Sequence, residues 1–143
     1  MPEIKHTKQA TVHIGFDGRV TKRYQGPLAA ARYANEVRVL QYLEGQGCDF
    51  VPRLLDHDDA RLQIVTTNCG NVVERLSEDK LRALFAELET FGVRHNDAFV
   101  RNVTYSGKLG RFCLIDFELA TILETGEGLT LEEVEARRDI RTR

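Results

Sequence analysis

The chain has few cysteines, little net charge and no long apolar run. The three cysteines are odd in number and lack CxxC spacing, which favours reduced thiols in a cytoplasmic protein over disulfides or zinc. The net charge of −2 gives no basis for a nucleic-acid or membrane partner, and we expect no membrane span or secretion signal. With 143 residues, 42% of them hydrophobic, the chain is predicted to form a single domain over residues 1–143.

Two polar segments flank a predicted β-hairpin. The first is HNDAFVRN at 95–102, and the second is LIDFE at 114–118. Strands at 103–105 and 111–115, joined by the turn SGKLG, would place Asn102 opposite Asp116 at the open end of the hairpin, with Asp97 on the loop entering it. Caps and turn formers are an alternative explanation for such residues. However, a carboxylate that ends a buried strand needs a partner.

An upstream lysine lies on an apolar strand face. The pair Asp-Gly at 17–18 separates two runs, 10–15 and 19–24, that favour strands, which predicts a hairpin. Because strand side chains alternate, Lys22 shares a face with Val20 and Tyr24. We expect a buried cation there; the alternative is a lysine stem that follows an edge strand to water.

A helix is predicted from residue 28 to residue 44, ending at Gly45. Its apolar stripe consists of Tyr33, Val37, Leu40 and Leu43. Glu36 lies on the same side, so its carboxylate should have a cationic partner, for which Lys22 is the first candidate. The alternative is an ion pair with Arg32 on a solvated flank of the helix.

The remaining elements complete the pattern. Strands at 50–55 and 61–66 would flank an acidic segment, 56–59, which we interpret as a solvated turn rather than a metal site. Ser77 caps a helix that Gly92 closes, with a stripe formed by Leu81, Leu84, Phe85, Leu88 and Phe91. The capping box TLEE at 130–133 begins a last helix with a basic end at 137–143, which suits the helix dipole or, alternatively, an acidic partner.

Taken in order, Lys22, Glu36, HxDxxxxN and IDF resemble the protein-kinase-like superfamily over about residues 10–123. IDFE in place of DFG is similar to its atypical branches: the RIO-type and lipopolysaccharide-core kinases and the choline and aminoglycoside kinases. The resemblance implies an α+β, minimal two-lobed fold. Residues 1–70 would form the N-lobe, a small antiparallel sheet with one helix, and the hinge; residues 71–143 would form a truncated helical C-lobe carrying the catalytic β-hairpin.

The resemblance also implies ATP and Mg²⁺ as cofactors and a role for each matched residue. Lys22 would contact the nucleotide phosphates and Glu36 would hold Lys22. Asp97 would be the catalytic base, and Asn102 and Asp116 would be the Mg²⁺ ligands. His95 would be an architectural residue of the catalytic loop. TTNCG at 66–70 would be the hinge against adenine, with cofactor contacts from Thr67, Asn68 and Cys69.

Two departures keep two functions open. No GxGxxG precedes Lys22, so either charge from Lys5, His6 and Lys8 replaces a glycine-rich phosphate loop or the triphosphate is poorly held. No APE follows Glu118. The first hypothesis is an ATP- and Mg-dependent phosphotransferase acting on a protein Ser/Thr or a small hydroxylated acceptor. The second is a pseudokinase-like regulatory module that binds nucleotide or protein. A homodimer is compatible with either.

Overall fold

The structure, a computed structural model, describes the backbone of residues 3–6 and 10–142 and the side chains of residues 10–136. Its strands are β1 (Glu3–His6), β2 (Ala10–Ile14), β3 (Val20–Tyr24), β4 (Leu54–Asp58), β5 (Gln63–Thr66), β6 (Asn71–Val72), β7 (Val93–His95), β8 (Val103–Ser106), β9 (Arg111–Leu114) and β10 (Ala120–Ile122). Its helices are α1 (Ala29–Gly45), α2 (Glu78–Thr90) and α3 (Leu131–Thr142), with a 3₁₀ turn at Val100–Asn102. The predicted α+β class is confirmed.

The first half of the chain forms a five-stranded antiparallel sheet in the order β1-β2-β3-β5-β4. The predicted hairpin is confirmed: it turns through residues 15–19, where Gly18 adopts a φ of 81°. β3 lies between β2 and β5, so Lys22 is on an inner strand and the edge-strand alternative is wrong. The side chains of Lys5, His6 and Lys8 lie outside the described residues.

The predicted strand at 50–55 is wrong in its first half. β4 begins only at Leu54 and runs through Asp56 and His57, so the acidic segment is largely an edge strand rather than a turn. Polar side chains are tolerated there because one side of an edge strand faces water. The apolar residues before it fill the core instead: Phe50 is fully buried, and its carbonyl accepts from the amide of Leu114 at 2.9 Å.

Helix α1 packs on the sheet, and its buried residues are both polar and apolar. Tyr33, Leu40 and Leu43 are buried as predicted, whereas Val37 is only partly covered. The helix ends at Gly45, as predicted, but the glycine with the left-handed backbone is Gly47, two residues later. It adopts a φ of 77°, and this left-handed turn lets the amide of residue 48 donate to the Leu43 carbonyl at 3.0 Å.

The second half carries α2, two small sheets and α3. Ser77 caps α2 by accepting from the Lys80 amide at 3.1 Å, as predicted. The predicted β8–β9 hairpin is confirmed, and β6 pairs with its outer side. The capping box is also present, because the Glu133 carboxylate accepts from the Thr130 amide at 3.1 Å. The basic side chains of residues 137–143 lie outside the described part of the chain.

The apolar core crosses from one half of the chain to the other. Val39 and Leu40 of α1 belong to the same buried cluster as Leu88 of α2, Leu114 of β9 and Phe117. Among the described helices, none is both long and apolar enough to traverse a bilayer.

Candidate active site

A cavity of about 630 Å³ separates the five-stranded sheet from the β8–β9 hairpin. Its volume lies within the usual range for small-molecule sites. Apolar side chains of the sheet, including Val12, Val20 and Ile64, cover one side. The cavity is also lined by eight of the site residues that the sequence predicted: Lys22, Glu36, Thr67, Asn68, Cys69, Asp97, Asn102 and Asp116.

Lys22 lines the cavity and lies among three carboxylates. Its Nζ is 2.7 Å from Asp116 Oδ1, 2.9 Å from Glu36 Oε1 and 3.7 Å from Glu118 Oε1. Burial opposes the ammonium charge, but Asp116 and Glu36 outweigh it and raise the pKa of Lys22 well above its usual value. The lysine is therefore charged across the physiological pH range.

Glu36 connects β3, α1 and the segment after β9. Its Oε1 accepts from Lys22 and from the Tyr24 hydroxyl, while its Oε2 accepts from the Phe117 amide at 2.8 Å. The predicted pairing of Glu36 with Lys22 is confirmed, and the alternative partner, Arg32, contacts other groups. Because both carboxylate oxygens are engaged, a 3% exposed carboxylate is tolerated here.

Asp97 projects from the short loop between β7 and the 3₁₀ turn. Arg101 donates to its Oδ1, and Asn102 Nδ2 donates to its Oδ2 at 2.9 Å. Its backbone amide donates to His95 Nδ1 at 3.1 Å, which fixes the loop from behind. The carboxylate is thus oriented, but both of its oxygens have partners in this structure.

Asn102 and Asp116 both lie at the open end of the β8–β9 hairpin, but the predicted pairing of these two residues is wrong by one position, because Val103 pairs with Leu114 and Asn102 therefore lies opposite Ile115. The Ile115 amide donates to the Asn102 carbonyl at 3.0 Å, so backbone hydrogen bonding continues as far as Ile115, the residue before Asp116. Asp116 adopts a φ of 69°, a left-handed conformation that a non-glycine residue holds only where its surroundings enforce it. With its Nδ2 on Asp97, Asn102 keeps Oδ1 for another contact.

The predicted hinge, residues 66–70, is an irregular link between β5 and β6. Its Thr67 amide donates to the Arg53 carbonyl at 3.0 Å, and its Cys69 carbonyl accepts from the Thr104 hydroxyl at 2.7 Å. Asn68 Oδ1 accepts from the Gly70 amide at 2.9 Å and closes a local turn. The link therefore has a defined backbone where it lines the cavity.

Sequence reasoning missed Arg32, Asn35 and Glu118. Arg32 is fully buried, and its Nη1 lies 2.8 Å from Glu118 Oε2. Asn35 Nδ2 donates to the carbonyls of Glu118 and Ala120 at 2.9 and 3.0 Å. The signal was available: Arg32 and Asn35 precede Glu36 by four and one residues, which places all three near one face of a helix.

Comparison with models of known protein families finds no match, and no curated protein matches the chain by sequence. In the described part of the chain, no three or more His, Cys, Asp or Glu side chains are grouped to hold a metal ion by themselves. A site made of one carboxylate, one amide oxygen and ligand phosphates is of a different kind, typical of Mg²⁺.

Proposed function

We propose that the chain has a minimal, two-lobed protein-kinase-like fold and is an ATP- and Mg²⁺-dependent phosphotransferase. One observation carries the proposal: Lys22 on β3 contacts Glu36 of α1 and Asp116 after β9 in the same cavity. In protein kinases, a lysine on the third strand pairs with a helix glutamate, and a loop aspartate holds the metal. Here the Lys22–Asp116 contact spans 94 positions of sequence, so local structure alone does not produce it.

Different residues of the cavity would contact different parts of the nucleotide. Its apolar side, with the backbone of Asn68 and Cys69, would accept the base, and Lys22 would meet the phosphates. Asn102 Oδ1 and the Asp116 carboxylate fit a Mg²⁺ ion, since both are hard oxygen ligands. A bound Mg²⁺ would neutralise charge on the phosphates.

Asp97 would orient or deprotonate the hydroxyl of the acceptor. Asn102 already holds its Oδ2, so the acceptor hydroxyl would approach Oδ1. That oxygen is covered by Arg101, whose side chain is 62% exposed and therefore has room to leave. The acceptor is a protein Ser/Thr or a small hydroxylated molecule, and a cytoplasmic location suits such a reaction.

The second candidate function is a pseudokinase-like module that binds nucleotide or protein without phosphoryl transfer. The observation in its favour is that both oxygens of Asp97 are occupied, by Arg101 and Asn102. If Arg101 stayed on Asp97 with nucleotide bound, the carboxylate would have no oxygen for an acceptor.

We expect Asp97→Asn and Asp116→Asn to differ in effect. Asp97→Asn should leave Mg-ATP affinity nearly unchanged and lower phosphotransfer or ATP hydrolysis about 10²–10⁴-fold, because only the base is lost. Asp116→Asn should weaken Mg-ATP binding itself, because a metal ligand is lost. Calorimetry measures the affinity and radiolabelled ATP the turnover. Asp79→Asn, which changes a 92% exposed aspartate, is the matched control.

Full turnover by Asp97→Asn would contradict its role as base. ATP binding by the native protein without turnover would favour the regulatory module, and absence of ATP binding would contradict both nucleotide-dependent functions.

A further inference from the structure

Residues on one face of α1 form hydrogen bonds with the segment that follows Asp116. Glu36 accepts from the Phe117 amide, Asn35 donates to the Glu118 and Ala120 carbonyls, and Arg32 binds the Glu118 carboxylate. Four hydrogen bonds from three residues of a single helix hold the backbone and one side chain of this segment. The position of Glu118 is therefore determined by α1, the helix that also supplies the partner of Lys22.

Arg32 gives Glu118 little freedom to move. Its guanidinium donates not only to Glu118 Oε2 but also to the carbonyls of Pro27 and Gln25, and its side chain is fully buried. A buried guanidinium with several fixed acceptors is costly to displace. Because Arg32 takes Oε2, the other oxygen of Glu118 lies on the side of Lys22, with Oε1 at 3.7 Å from Nζ.

The three carboxylates around Lys22 differ in their hydrogen-bond partners and in their exposure to solvent. Both oxygens of Glu36 are engaged by Lys22, Tyr24 and the Phe117 amide. The Asp116 side chain is 39% exposed, against 10% for Glu118 and 4% for Glu36. Asp116 is thus the carboxylate placed to exchange Lys22 for a cation in the cavity, and it is also the nearest partner that Lys22 has.

We propose that Glu118 is a positioning residue for Lys22: held by Arg32, it receives the ammonium when Asp116 turns from Lys22 to a bound cation. This inference rests on the proposed function for the identity of that ligand. Once Asp116 turns away, Glu36 would be the one carboxylate of the described residues still in direct contact with the buried ammonium, and the ligand phosphates alone would have to balance the lost charge. A small shift brings Glu118 Oε1 into direct contact and keeps Nζ in place for the phosphates.

The first test compares ATP affinity with and without Mg²⁺ by calorimetry. Glu118→Gln should weaken Mg-ATP binding about tenfold, a typical effect of losing a residue that supports a metal or ligand contact. Without Mg²⁺, Asp116 still holds Lys22, so the variant should bind ATP like the native protein or slightly better. Glu44→Gln is the matched control, since Glu44 forms an exposed pair with Arg53 at 3.3 Å.

Equal changes in affinity with and without Mg²⁺, or no change in either, would overturn the proposal. An affinity change that is the same with and without Mg²⁺ would show only that a negative charge or a structural contact had been lost. If Glu118→Gln does not fold, Glu118→Asp replaces it: it retains a charge for Arg32 but is too short to serve Lys22 as well, and the same Mg²⁺-dependent loss is expected.

A second test needs no nucleotide and separates this inference from the proposed function. In urea unfolding, the double variant Asp116→Asn/Glu118→Gln should be destabilised by more than the sum of the single variants, because each carboxylate substitutes for the other. Direct repulsion between the two carboxylates also produces an excess. The same variants are therefore compared again in a Lys22→Met background. There, neither carboxylate can replace the other as a partner of Lys22, but the repulsion between them remains.

An excess that falls when Lys22 is replaced supports the role of Glu118, even for a protein that binds no ATP. An additive cycle, or an excess that is the same in both backgrounds, would overturn it.

Discussion

His95 joins two parts of the site through its two ring nitrogens. Nδ1 accepts from the Asp97 amide at 3.1 Å, so Nε2 carries the proton and donates to the Ile115 carbonyl at 3.0 Å. The ring packs against Phe85 and Phe117, with centroid separations of 5.3 and 5.0 Å. Burial lowers the pKa of His95, and the neutral ring is the form that satisfies both contacts. This agrees with the architectural role predicted for it.

His95 should make the protein less stable at mildly acidic pH. In the unfolded chain it takes up a proton near pH 6.5, whereas the folded protein resists protonation to lower pH. Stability from this residue is complete above about pH 6.5 and falls below it, by up to about 1.4 kcal/mol per pH unit. Urea unfolding of the native protein and of His95→Gln between pH 7.5 and 5 measures the difference.

His13→Gln serves as the control for the loss of a histidine elsewhere in the chain. The same pH dependence in the native protein and His95→Gln would contradict the assignment of a buried neutral ring.

Among the elements, the link from β5 to β6 is set by a close approach to β8. Gly70 adopts a φ of 92°, and a Cβ at that position would lie 2.0 Å from the Tyr105 carbonyl oxygen. Glycine is required at this position for two reasons: the left-handed backbone and the close contact with Tyr105. The approach places Thr67, Asn68 and Cys69 beside the cavity, so the position of the predicted hinge depends on this residue.

Gly70→Ala should destabilise the protein more than Gly18→Ala. Gly18 has a similar φ of 81°, but a Cβ there meets no atom within 4 Å, so its replacement should cost only the left-handed conformation, about 1–2 kcal/mol. Gly70→Ala should cost about 1–3 kcal/mol more, because backbone must move. Chemical unfolding measures both values; equal costs would mean that the link shifts freely away from β8.

At the scale of the whole molecule, the two halves share one core while the cavity lies between them. The buried cluster includes Tyr24 and Leu40 from the first half and Leu88 and Val103 from the second. α3 packs separately, through Val134 against Leu119 and Leu129. A shared core resists separation of the halves, so we expect them to unfold together.

Leu88→Ala tests that cooperativity. Leu88 is fully buried in the shared core, and its truncation should cost about 2–5 kcal/mol. Amide exchange should accelerate equally in α1 and in β8, although Leu88 belongs to α2. Leu109→Ala, at a 49% exposed position, should change stability by less than about 0.5 kcal/mol. Exchange that accelerates only in the second half would show that the halves unfold independently.

Much of the local structure followed from short-range patterns. The β2–β3 and β8–β9 hairpins, the Ser77 cap and the burial of Glu36 were predictable, because turn residues and side-chain periodicity act over a few positions. The limits of β4 were not. Phe50 and Val51 have strand-like character, yet they fill the core outside any strand, whereas Asp56 and His57 pair because β5 offers a partner. Strand pairing is a long-range choice.

The sequence by itself determined which chemical groups the cavity would contain, because their residue types and spacing set their place on strands, helix and hairpin. Apart from the Lys22–Glu36 pair, tertiary structure alone decided how the charges are paired. Arg32 and Glu118 are 86 positions apart. Both are residue types that usually lie on the protein surface. Their burial follows from the packing of α1 on the segment after β9. A charge is tolerated in such a place only when the fold brings it a partner, and no local pattern specifies that partner.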